Sequence, residues 1–113
     1  MMKIIFIAIV MVLIFSSCAK SLYSWYAYEG ITYAYSKKAT EELFVRMMDE
    51  YKKIITNQKG SRGVVPPGLY AEYGYQLCKQ GKMKEGIDLL KKEIELYPES
   101  EKYISRIIKQ LEG

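Results

Sequence analysis

Histidine is absent from the 113-residue chain, and this absence excludes more than any other feature. Ser-His-Asp and Cys-His nucleophilic sites, imidazole metal centres and histidine acid–base chemistry all need the missing ring. Cysteine is nearly absent as well: Cys18 and Cys78 are too few for a disulfide scaffold or a thiolate zinc site. No apolar run is long enough to span a bilayer. The longest, Ile4 to Phe15, has 12 residues, whereas a spanning helix needs about 20. Gly60-Ser61-Arg62-Gly63 has neither the spacing nor the lysine of a phosphate-binding loop. Asp49, Glu50 and Asp88 lie among lysines on polar helix faces and form no paired-carboxylate site. These absences argue for a non-enzymatic protein, with no cofactor and no metal.

The N-terminus is a leader in pattern. Met1-Met2-Lys3 supplies a short basic n-region, and Ile4 to Phe15 carries no polar side chain. Ser16-Ser17-Cys18 follows directly and resembles a bacterial lipobox. The resemblance implies cleavage between Ser17 and Cys18 and a diacylglyceryl thioether on Cys18, since thiolate sulfur is a strong nucleophile. Phe15 departs from the branched aliphatic residue commoner at its position. A competing reading cuts after Ala19, using Ser17 and Ala19 as the small pair, and discards Cys18. On the lipobox reading two or three acyl chains, at about 0.8 kcal/mol per buried methylene, hold the protein on the membrane. Ala19 in place of an acidic residue resembles lipoproteins sorted to the outer membrane, in cells that have one. The expected organisation is a signal peptide over residues 1–17, a lipidated tether over 18–24 and one small domain over 25–113.

The chain carries 17 Lys and Arg against 13 Asp and Glu; losing Lys3 with the leader leaves 16 against 13. Lys84-Glu85, Lys91-Lys92-Glu93 and Glu101-Lys102 interleave the two signs, the pattern of solvated helix faces and not of a nucleic-acid stripe. No nucleic-acid partner is expected. Lys59 to Gly63 is read as a flexible basic loop, with contact to anionic headgroups as the alternative.

Apolar spacing predicts an all-α domain of about five short helices. Trp25, Tyr28, Thr32 and Tyr35 recur at helical spacing, although a hairpin turning at Glu29-Gly30 also fits. Thr40 is a good N-cap, followed by a stripe from Leu43 to Ile55 that ends near Asn57. A loop over residues 58–67 leads into Leu69, Tyr70, Tyr73, Leu77 and Cys78, stopped by Gly81. Met83, Ile87, Leu90, Ile94 and Tyr97 follow on one face up to Pro98. Tyr103, Ile104, Ile107, Ile108 and Leu111 make a last amphipathic helix.

Residues 67–98 resemble one tetratricopeptide repeat: Tyr70-x-x-Tyr73-Gly74-x-x-Leu77, then Gly86-x-x-x-Leu90 and Pro98. Leu77, Gly86 and Glu93 depart from the pattern, Glu93 standing where a small residue is usual. A mid-helix glycine costs about 1 kcal/mol against alanine, so Gly74 and Gly86 imply two helices in close approach. The expected object is one tetratricopeptide-like hairpin, capped on one side by the C-terminal helix and on the other by the Thr40 helix and the aromatic segment.

A second resemblance covers nearly the whole mature chain. Leu22-Tyr23-Ser24-Trp25-x-x-Tyr28, Val65-Pro66-Pro67-Gly68-Leu69-Tyr70-Ala71-Glu72-Tyr73-Gly74 and Tyr97-Pro98-Glu99-Ser100 are similar to a family of small bacterial lipoproteins whose domain is of unknown function. That resemblance implies an accessory role in an envelope complex, beside lipoproteins similar to curli-type secretion-channel subunits, and brings no catalytic residues.

The partner-binding candidates are Trp25, Tyr28, Tyr70, Glu72 and Tyr73. Tyr23, Trp25, Tyr26, Tyr28, Tyr33 and Tyr35 are more rings than one helix face can bury. About half are expected in the core. The rest would serve a protein partner, a glycan such as peptidoglycan, or the membrane interface, in that order. Glu72 would meet a partner's basic group, or else only its own helix dipole. Cys78 is expected as a buried core thiol.

Overall fold

The structure is a computed structural model that describes residues 1–16 and 21–113, with side chains at 1–12 and 21–113. The expected cleavage residue Ser17 and lipidation residue Cys18 lie outside the described residues. The described chain is all-α. The helices are α1 (Met2–Ser16), α2 (Tyr28–Lys37), α3 (Glu41–Thr56), α4 (Leu69–Lys79), α5 (Met83–Leu96) and α6 (Glu101–Glu112), with a 3-10 turn at Pro98–Ser100 before α6. No strand occurs among the described residues. No described helix is long and apolar enough to cross a membrane.

The hairpin alternative for residues 25–36 falls, because α2 runs straight through Glu29-Gly30. Tyr28, Ile31 and Tyr35 of α2 pack against the core that α3 and α4 provide, a helical spacing that a two-residue strand period could not satisfy. Thr40 caps α3 as expected, its hydroxyl accepting from the Leu43 N–H at 3.2 Å. Gly81 adopts φ +91°, where an L side chain is strained, and so ends the α4 turn.

Two apolar clusters hold the helices. Met47, Met48, Tyr51, Ile54, Leu69 and Leu77 join α3 to α4. Cys78, Leu90 and Ile104 join α4, α5 and α6, with Ile94, Ile107 and Leu111 packed around them. Cys78 is the expected core thiol, and burial pushes its pKa up. The α4–α5 crossing passes over the two glycines. A Cβ on Gly74 would stand 2.6 Å from the Gly86 carbonyl oxygen and 3.2 Å from the Leu90 nitrogen. One on Gly86 would stand 2.5 Å from the Gly74 oxygen and 2.9 Å from the Cys78 nitrogen. The backbones therefore touch where the sequence places glycine.

Residues 21–24, assigned to the tether, are tied to the loop after α3. Ser61 N–H donates to Ser21 O at 3.0 Å and Arg62 N–H to Leu22 O at 3.1 Å. Ser24 and Gln58 exchange two hydrogen bonds, at 2.6 and 3.1 Å, and Lys59 N–H donates to the Ser24 hydroxyl at 3.2 Å. Gly60 makes room, since a Cβ there would run into Leu22 O and Tyr23 Cα. Residues 21–24 and the basic loop are thus joined by backbone and side-chain hydrogen bonds.

Candidate functional site

Four of the five candidate residues fall into one network, and a residue the sequence reading passed over joins them. Trp25 and Tyr28 stack at 4.9 Å between ring centroids, Tyr28 and Tyr51 at 6.3 Å, and Tyr51 and Tyr73 at 5.9 Å. Tyr51 belongs to the α3 stripe, where periodicity marks it only as core. The fifth candidate, Tyr70, is elsewhere. It is buried in the α3–α4 core with the Lys92 ammonium 5.3 Å from its ring, so it is packing and not surface.

Glu72 sits in the first turn of α4, where its charge suits the helix dipole. It does more than that: the Tyr28 hydroxyl donates to both of its oxygens at 2.7 Å. Burial, then the Glu72 carboxylate, raises the Tyr28 pKa far above that of an ordinary phenol. Burial and the same carboxylate raise that of Tyr51. Burial also raises Tyr73, with Glu85 and Asp49 adding to it. These phenols are hydrogen-bond donors throughout the physiological range, not acid–base groups.

Glu93 is the second residue whose role was hidden. It is only 2% exposed. Its two oxygens accept from the Gly68 N–H at 3.0 Å and the Ala71 N–H at 3.1 Å, at the N-terminus of α4. A helix start leaves such donors without intrahelical partners, and Gly68 is left-handed (φ +90°) with no side chain to serve them. A carboxylate from the neighbouring helix replaces the missing cap. This gives the buried acid at position 93 its structural role. The one ion pair among the described residues is Arg46–Glu42 at 3.7 Å, so Glu72 and Glu93 are served by O–H and N–H donors instead.

Above these carboxylates runs a groove of about 650 Å³ between α4 and α6, walled by Ala71, Tyr75, Tyr103, Ile107 and Leu111. Tyr103 on its rim is 69% exposed. Glu72 and Tyr75 also line a smaller pocket of about 280 Å³ on the α2–α3 side, with Tyr28 and Tyr51. The groove has apolar walls, the exposed Tyr103 ring on its rim and two carboxylates at its base. No three His, Cys, Asp or Glu side chains gather around a common point among the described residues.

Of the six N-terminal aromatics, Tyr23, Tyr28 and Tyr35 are half-buried, while Trp25, Tyr26 and Tyr33 are exposed. Lys53 lies 4.5 Å from the Tyr26 ring centre and Lys37 lies 5.4 Å from that of Tyr33, so each of those rings already carries a cation on one face.

Fold and site together define a small all-α domain, a glycine-crossed helical hairpin flanked by further helices, with a groove on one side. Residues 22–107 match the family model described as a domain of unknown function (DUF4810), and the chain belongs to that family. No curated protein and no solved structure matches the chain.

Proposed function

We propose that this protein is a lipid-anchored cell-envelope lipoprotein whose helical domain is a non-enzymatic protein-interaction module. Cys18 carries the lipid, and the outer membrane, periplasmic side, is its place in cells that have one. The α4–α5 hairpin is a tetratricopeptide-like unit. In that reading α6 stands as the first helix of a following repeat whose second helix a partner would supply. The observation that carries the proposal is the α4–α6 groove, with apolar walls and the exposed Tyr103 ring at its rim. Exposed aromatics over a preformed groove are the usual anchors of a protein interface. The partner is an envelope protein, and a secretion-channel-like lipoprotein complex is the setting implied by the family resemblance.

A second reading, glycan or peptidoglycan binding, would use Trp25, Tyr26 and Tyr33. It ranks lower because lysines cover one face of two of those rings, leaving less surface for a sugar to stack on. Two substitutions separate anchor from module. Cys18→Ala releases the protein from membranes while leaving partner recovery from extracts intact. Tyr103→Asp, on the exposed rim, leaves it membrane-bound but abolishes co-purification of the partner. Membrane retention of Cys18→Ala would refute the anchor, and unchanged partner recovery with Tyr103→Asp would refute the groove.

A further inference from the structure

We infer that the surface formed by the N-terminal strap (residues 21–26) and the loop after α3 (residues 58–62) is a membrane-facing surface that docks on anionic lipid headgroups. The inference rests on the Cys18-anchored reading and adds an orientation to it.

Three observations converge on this face. The first is reach. Ser21 is the first strap residue bonded to the loop, and Cys18 lies three residues before it. Three residues span at most about 11 Å in any conformation. A headgroup layer is about 5–8 Å thick, so a lipid on Cys18 keeps the strap and its loop within reach of the headgroups, and charge decides whether they dock there.

The second is charge. From Tyr51 to Ala71 the chain has no acidic residue but carries Lys52, Lys53, Lys59 and Arg62. The interleaving of signs that marks the C-terminal helices stops here. Lys59 and Arg62 are exposed, on a loop whose backbone is fixed to the strap at Ser61 and Arg62. Glu50 stands at the edge of the face, its carboxylate accepting from the Ala27 N–H at 2.9 Å.

The third is apolar character. Leu22 is 55% and Trp25 38% exposed, and Tyr26 is exposed with its hydroxyl donating to the Asn57 carbonyl. Trp and Tyr rings with nearby Lys and Arg are the composition that sits at headgroup depth. The strap therefore orients the domain as well as tethering it. Hydrogen bonds accepted by Ser21 and Leu22 and shared with Ser24 hold the loop to the strap, so lipidation at Cys18 would bring Lys59 and Arg62 to the surface together.

Trp25 is the chain's one tryptophan and reports directly on this. Full-length protein, made in cells with its own leader and extracted in detergent, is reconstituted into phosphatidylethanolamine–phosphatidylglycerol vesicles and into phosphatidylcholine vesicles. Lipids brominated near the top of the acyl chains then quench what lies at the interface. Trp25 is expected to be strongly quenched and blue-shifted in the anionic vesicles only, with the effect lost at 1 M salt, where the Debye length is about 3 Å. Each basic side chain near an anionic surface is worth a factor of about five in the docked-to-undocked ratio, so Lys59→Gln with Arg62→Gln lowers that ratio about 25-fold. Both side chains are exposed, and an unchanged helical spectrum confirms that the double variant folds. Equal quenching in neutral and anionic vesicles, or in wild type and double variant, overturns the inference. So does a Trp25 that stays unquenched while the protein remains vesicle-bound, a result that leaves the anchor reading standing. Loss of the anchor reading looks different: the protein fails to join any vesicle and carries no acyl mass at Cys18.

Discussion

Replacing Gly86 by alanine sets two effects of opposite sign against each other in one residue. In an exposed helix interior the change is favourable by about 1 kcal/mol, because alanine loses less backbone entropy on folding. At Gly86 the new Cβ would stand 2.5 Å from the Gly74 oxygen and 2.9 Å from the Cys78 nitrogen. Both are backbone atoms of α4 and cannot swing aside, so α4 and α5 must part by most of an ångström along the crossing. Overpacking of this kind costs about 1–3 kcal/mol, and contact with backbone on both counts puts Gly86 in the upper half of that range, about 2–3 kcal/mol. The net expectation is a loss of about 1–2 kcal/mol, or a fall of about 4–16 °C in Tm for a domain of this size. Gly30 in α2 is the internal control, with nothing within 4 Å of its would-be Cβ. Gly30→Ala should hold or raise the Tm. Thermal unfolding of the two purified variants, followed by circular dichroism, reads the answer. An unchanged or higher Tm for Gly86→Ala would refute the close α4–α5 crossing.

Two further outcomes follow from the buried polar groups. Glu93→Ala removes the acceptor of two N–H donors at the start of α4 and should cost about 2–5 kcal/mol in denaturant unfolding, with Glu93→Gln losing about half as much. A loss under about 1 kcal/mol for the alanine variant would mean that water serves those donors equally well. Tyr97 is raised to about 12 by burial and by the neighbouring Tyr23, and its hydroxyl donates to the Val65 carbonyl at 2.6 Å. Tyr28 and Tyr51 are raised further. Above the ordinary phenol value of 10.0 the unfolded chain releases protons that the folded one still holds. Stability is therefore complete below that pH and falls as pH rises through the folded values. Ultraviolet titration should show these tyrosines ionising only as the helical signal is lost; ionisation of all eleven tyrosines while the domain stays folded would contradict the buried network.

Much of the fold was legible because local chemistry decides it. Thr40, Gly81 and Pro98 each end or begin a helix through their own backbone or side-chain preferences, and the structure breaks at each. Gly74 and Gly86 were legible as a pair because their propensity cost needs a tertiary reason, which the crossing supplies. Helix or hairpin at residues 25–36 was not decidable locally, since Tyr28, Ile31 and Tyr35 find their partners on α3 and α4. The contacts of residues 21–24 were not legible for the same reason: their bonds go to Gln58, Lys59, Ser61 and Arg62, more than thirty residues away. Among the site residues, Trp25, Tyr28 and Tyr73 fall into one aromatic network with Tyr51, whereas Tyr70 is buried in the core, because an aromatic stripe by itself cannot tell a core ring from a surface one. The acid at Glu93 was noticed as a departure. Its meaning needed the three-dimensional position of an uncapped helix start that carries glycine where a capping side chain would stand.

The central claim is that the α4–α6 groove docks an envelope partner. A photo-crosslinking residue placed at Tyr103 on the rim of the groove, in full-length protein in intact cells, tests it most directly. The same residue placed at the exposed Lys91 on α5 serves as the control. The account expects one recurrent, stoichiometric envelope protein captured from position 103 and not from position 91. Capture of nothing, of glycan fragments, or of the same proteins from both positions would contradict it.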